Sequence, residues 1–152
     1  MSRGERSTDP FAKHQGFEGR PPRTGMEPNA GPLSAEESAL LAEGLALFDG
    51  GQFWHAHESW ETMWNLLKRR QAPQEEILLI QGLIQTAALL LHHERKNHVG
   101  VRKQWEKLLP KLEGWNMAWG LNIGNHLSTI ERYAADREVW ALTASDHQIP
   151  KA

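Results

Sequence analysis

From Leu33 onward the apolar positions recur at helical intervals, and no stretch alternates as a strand would. Ser34 followed three residues later by Glu37 forms a capping-box pattern, and Leu40, Leu41, Leu45, Leu47 and Phe48 continue at helical spacing. Asp49-Gly50-Gly51 breaks that run. A second helix is predicted from about Phe53 to Arg70, where the basic Lys68-Arg69-Arg70 suits the negative end of a helix dipole. A third, from Gln74 to about Arg95, opens on Glu75-Glu76 and is apolar on nearly every side, as expected of the central helix of a bundle. Asn97 can cap a fourth helix carrying Val101, Trp105, Leu108 and Leu112, with Pro110 ending or kinking it. After Gly114 an irregular stretch rich in Trp and Asn leads to a fifth helix near residues 123–137. The pattern predicts an all-α bundle of about five helices built from antiparallel hairpins.

Composition refines this picture at the ends. Residues 1–32 contain 5 of the 8 prolines and 5 of the 13 glycines, with no Trp, Leu, Ile or Val. Such a segment cannot bury enough apolar surface to offset its ordering entropy, so it reads as a disordered N-terminal arm. The helical domain then spans residues 33–140, and 141–152 form a C-terminal tail. The apolar run Ile77–Leu91 is 15 residues long and holds Gln81, Gln85 and Thr86. That is short of the roughly 20 apolar residues of a spanning helix, and no signal-peptide core is visible; a cytoplasmic protein without a membrane segment is expected.

Charge and residue chemistry narrow the function classes. The formal charge of −2 gives no global basic field, and the basic positions around the fourth helix are diluted by Glu94 and Glu106, which argues against nucleic acid as a partner. Cysteine is absent, which excludes disulfides, thiolate zinc sites and thiol nucleophiles. The chain is enriched instead in Trp (7) and His (8).

Both enrichments converge on the run Phe53-Trp54-His55-Ala56-His57-Glu58-Ser59-Trp60-Glu61-Thr62-Met63-Trp64. On a helix with His57 at zero, Glu61 falls near ~40°, Trp64 near ~−20° and Trp60 near ~−60°. Glu58 sits at the edge of this stripe, and His55 points the other way. A His–Glu pair one turn apart is the spacing that offers two ligands to one metal, and equally the spacing that lets a carboxylate orient an imidazole. The H-E-x-x-E order lacks one ligand of the zincin helix. On the third helix Gln81, Gln85, Ala88 and His92 form a second, largely polar stripe. An antiparallel hairpin between the two helices sets Gln85 level with His57 and Glu58, and Gln81 near Glu61, with His92 about 9 Å further along. His57 and Glu61 are accordingly expected to be largely buried, within reach of Gln85. His93 reads as a solvated surface residue, His147 as part of a tail, and nothing in the sequence pairs His126 with another group.

The sequence His57-x-x-x-Glu61-x-x-Trp64, preceded by Phe53-Trp54 and the Asp49-Gly50-Gly51 turn, resembles the domain of unknown function 309 family of bacteria and archaea. Ile80-Gln81-Gly82-Leu83-Ile84-Gln85, Asn97 and Gly100 also fit. The resemblance covers about residues 36–135. It implies a small all-α fold of helical hairpins and a metal-binding role for the His-x-x-x-Glu pair, and it names no activity.

Two readings follow. In one, His57 and Glu61 bind a divalent metal (Zn²⁺, Mn²⁺ or Fe²⁺ all suit imidazole and carboxylate), with further ligands from Glu58 or His92 and a pocket formed by Trp60, Trp64, Gln81 and Gln85. In the other, the protein is a non-catalytic helical binding module that receives a small ligand or a protein partner, and the His–Glu pair belongs to a structural hydrogen-bond network.

Overall fold

The computed structural model describes residues 30–135 and 147–151. The expectations for residues 1–29, for the fifth helix beyond residue 135 and for residues 141–146 lie outside the described residues. Five helices follow one another among those described: α1 (Ala35–Asp49), α2 (Phe53–Arg69), α3 (Gln74–Glu94), α4 (His98–Leu112) and α5 (Ile123–Ala135). A two-stranded ribbon, β1 (Met117–Ala118) and β2 (Leu121–Asn122), separates the last two. The architecture is the all-α bundle that the periodicity predicts.

Local chemistry sets the helix ends where the sequence places them. The Ser34 hydroxyl accepts from the Glu37 N–H, and the Glu37 carboxylate accepts from the Ser34 N–H, both at 3.0 Å. The same carboxylate accepts two bonds from the Arg70 guanidinium, at 2.8 and 3.1 Å, so one glutamate caps α1 and ties it to the end of α2. This bidentate partner holds the Glu37 carboxyl below its ordinary pKa. The turn between α1 and α2 uses Gly51 at φ 85°, a left-handed conformation that glycine adopts without cost. Asn97 caps α4 by accepting from the Gly100 N–H at 3.0 Å. The helix carries through Pro110 to Leu112, because a proline in the last turn removes a single backbone donor near a helix end.

Helix α3 packs against α2 on one side and α4 on the other, while α1 covers α2 and α5 closes on α4 and α3. Its length and composition alone would allow it to cross a membrane, and 72% of its most apolar window is buried inside the bundle. Close helix approach depends on glycines. A Cβ at Gly44 would lie 2.2 Å from Trp60 Nε1, and one at Gly82 would lie 2.6 Å from Leu112 Cδ2.

Three expectations need correction. The stretch after Gly114 contains the β1–β2 hairpin, with Trp119 and Gly120 at φ 51° and 79°. Both central residues have positive φ, as a tight two-residue hairpin requires, and two-residue strands are too short to show alternation. His93 is buried, 1% exposed, with its ring edge-on to Tyr133 at 5.1 Å, because α5 covers the end of α3. Residues 147–151 are not a loose tail. His147 and Ile149 are each 2% exposed. His147 Nε2–H donates to the Phe48 carbonyl at 2.9 Å, the Ile149 N–H donates to Asp49 Oδ1 at 3.0 Å, and Lys151 bridges to Leu121 beside the hairpin.

Candidate functional site

The two polar stripes do meet. His57, Glu61 and Trp64 of α2, Gln81 and Gln85 of α3, and Gln104 and Lys107 of α4 line a cleft of about 230 Å³, with Ile84 and Ala88 as its apolar floor. Helix α3 supplies that floor, and α2 and α4 form the walls on either side. The α4 wall is a component that helix-wheel reasoning on α2 and α3 could not supply, since its orientation depends on how the α3–α4 hairpin packs. Its legible signal is Gln104 and Lys107 at i, i+3 on the helix face next to Leu108.

The pair at the centre is less buried than expected. The His57 side chain is 23% exposed and that of Glu61 48%, with Nε2 and Oε2 3.9 Å apart. The pair sits at the rim of the bundle, because the core side of α2 is taken by Phe53, Ala56, Trp60, Met63 and Leu67. The exposed Trp54 indole stacks on the His57 ring, with centroids 5.3 Å apart and planes 6° from parallel. Lys68 Nζ lies 3.5 Å from the centroid of Trp64, a cation–π contact that accounts for one member of the basic triplet. Arg70, bound to Glu37, accounts for another.

The remaining candidates go elsewhere. Trp60 is fully buried against α1, and its Nε1–H donates to the Leu41 carbonyl at 3.3 Å. Glu58 is exposed and pairs with His55 at 3.4 Å. His92 accepts from the Asn97 side-chain amide at 3.1 Å and lies over Gly100. Burial, with Arg95 adding to it, lowers the pKa of His92. Gln85 is bonded to neither His57 nor Glu61. Its Oε1 accepts from Lys111 Nζ at 3.1 Å, and that buried ammonium also donates to the Lys107 carbonyl at 3.0 Å.

Two buried polar atoms on the cleft residues have no hydrogen-bond partner: His57 Nδ1 and Gln81 Oε1. Such atoms cost about 1–3 kcal/mol each when left unfilled. As a metal centre the donor set falls short. No group of three or more His, Asp or Glu side chains gathers among the described residues, and an ion held by His57 and Glu61 would take its other ligands from water.

A second polar cluster, missed by the sequence reading, lies in the core. The Thr86 hydroxyl donates to the Leu83 carbonyl at 2.7 Å, so His126 Nε2–H donates to Thr86 Oγ1 at 3.2 Å. A hydroxyl has one proton, which fixes this imidazole tautomer. Complete burial, with His147 adding to it, pushes the His126 pKa down to about 3. The ring packs edge-on to Phe48 at 5.5 Å, so the cluster is a neutral element of the core.

No curated protein and no solved structure matches the chain. The model of the family described as Domain of unknown function (DUF309) matches residues 41–104, from within α1 to within α4. That match covers all of the α2 and α3 stripes and is narrower than the span of the sequence resemblance. Over residues 41–104, the region that holds both polar stripes, the chain is thus similar to the DUF309 family.

Proposed function

We propose that this protein is a helical binding module whose cleft between α2, α3 and α4 receives a small polar ligand. One observation carries the reading: His57 Nδ1 and Gln81 Oε1 are buried without partners on residues that line a cleft large enough for a small molecule. Buried polar groups are almost always paired, so a bound ligand that supplies the missing partners recovers the cost of leaving them open. The cleft is small and concave, and most of its lining side chains are polar, with Ile84 and Ala88 as the apolar exceptions beside Trp64, which suits a small polar ligand. The His57–Glu61 pair then serves as part of the ligand's polar frame. A divalent ion is the competing occupant, favoured by the i, i+4 spacing alone.

The reading is tested by substituting Gln81. Gln81→Leu removes an unfilled acceptor, so the ligand-free protein should gain about 1 kcal/mol in urea denaturation. In a fragment screen followed by NMR, hits should shift the Gln81 and Gln85 side-chain amides of the wild type and fail to bind the variant. A screen in which no small polar compound moves either amide would overturn the proposal. So would calorimetric titration with Zn²⁺ or Mn²⁺ that shows stoichiometric binding abolished by His57→Ala, which would assign the pair to a metal.

A further inference from the structure

We propose that the ligand of this cleft is a small zwitterion of the amino-acid class, its ammonium at Glu61 and its carboxylate at Lys107. The inference rests on the reading of the cleft as a ligand site and adds the ligand's chemistry.

The first observation is charge on two separate walls. Glu61 stands on α2 and Lys107 on α4, and α3 lies between the two helices. The Glu61 carboxylate lies 3.9 Å from the His57 imidazole and forms no ion pair with a Lys or Arg among the described residues. Lys107 has no salt-bridge partner among the described residues. A ligand of net charge +1 or −1 would pair with one wall only, while the other charge stays with water. A ligand carrying both charges satisfies each.

The second observation is the order of hydrogen-bonding groups along α3. Short connections make α2–α3 and α3–α4 antiparallel hairpins, which sets Gln81 level with Glu61 and Gln85 level with Lys107. Gln81 presents an open acceptor, Oε1. Gln85 Oε1 is already occupied by Lys111, which leaves its amide N–H groups as the free function. One level of the cleft therefore offers two acceptors, the Glu61 carboxylate and Gln81 Oε1. The level one turn away, about 6 Å along the helix, offers two donors, Gln85 and Lys107, beside the open His57 Nδ1. An ammonium fits the first level and a carboxylate the second. Ile84 and Ala88 line the cleft beside both and would meet the carbon skeleton.

The test is calorimetry on the full chain with glycine, β-alanine and 4-aminobutyrate, which vary the separation of the two charges. Acetate, methylammonium and the neutral N-acetylglycinamide are the controls. One of the amino acids should bind at least tenfold more tightly than acetate or methylammonium. Glu61→Gln and Lys107→Gln, both at exposed positions, should each weaken that binding at least tenfold while leaving the circular dichroism spectrum unchanged. Binding that survives either substitution overturns the proposal. If the amino acids fail while N-acetylglycinamide binds and shifts the Gln81 and Gln85 amides, the zwitterion is wrong and the cleft remains a ligand site. If no compound binds and no fragment moves those amides, both readings fall.

Discussion

Gly44 is buried on α1 at the point where the Trp60 indole crosses it. Trp60 has nowhere to retreat, since it is fully enclosed, packs on Phe48 at 5.6 Å and is held by its bond to the Leu41 carbonyl. Gly44→Ala should therefore destabilise the protein by about 1–3 kcal/mol in urea denaturation, although alanine is the better helix former by about 1 kcal/mol. An unchanged midpoint would mean that the indole can shift. The same contact shows where the sequence stops being legible. A helix wheel gives the angle of Trp60 relative to His57, but not which neighbour occupies that angle. Here α1 occupies it, and a lone glycine in a leucine-rich helix carries no signal that a tryptophan lies over it. His57, Glu61, Gln81 and Gln85 were legible as two stripes because polar residues at i, i+4 on apolar helices need a common environment.

At the scale of elements, the helices were readable because their ends carry their own chemistry, as at Ser34–Glu37 and Asn97. The segment 147–151 was not. It docks through backbone groups, with the Asn122 N–H donating to the Pro150 carbonyl at 2.8 Å and the Ile149 N–H to Asp49. Five residues without a periodic pattern give no hint of this. The docking has a measurable consequence. Deleting residues 147–152 removes the buried Ile149 and His147 side chains and one of the two donors to the Phe48 carbonyl, which keeps its bond from the Gly51 N–H, so the shortened chain should lose about 2–4 kcal/mol. Thermal unfolding would register this as a lower Tm. Equal Tm values for the two chains would return the segment to the status of a tail.

Across the whole molecule, the buried histidine couples stability to pH. His126 titrates at about 3 in the folded protein, against an ordinary value of 6.5 that the unfolded chain recovers. Between those values the unfolded state takes up a proton that the folded state refuses. Stability present above pH 6.5 is therefore lost as the pH falls, by up to about 1.4 kcal/mol per unit. Urea denaturation should show a loss of about 1–2 kcal/mol between pH 7 and pH 5, a window well above the one in which Glu37 gives up its contribution. A flat profile over that interval would be incompatible with a neutral His126 in the core. The small hairpin has a different consequence, one of topology. Trp119 Nε1–H donates to the Gly31 carbonyl at 3.3 Å, and the neighbouring Leu121 bridges to Lys151. The first and last described stretches thus meet at the same small hairpin. A short peptide joining those stretches would close a circle, and the bundle could then be reopened at the exposed Gln71 turn with the same helices in a new order.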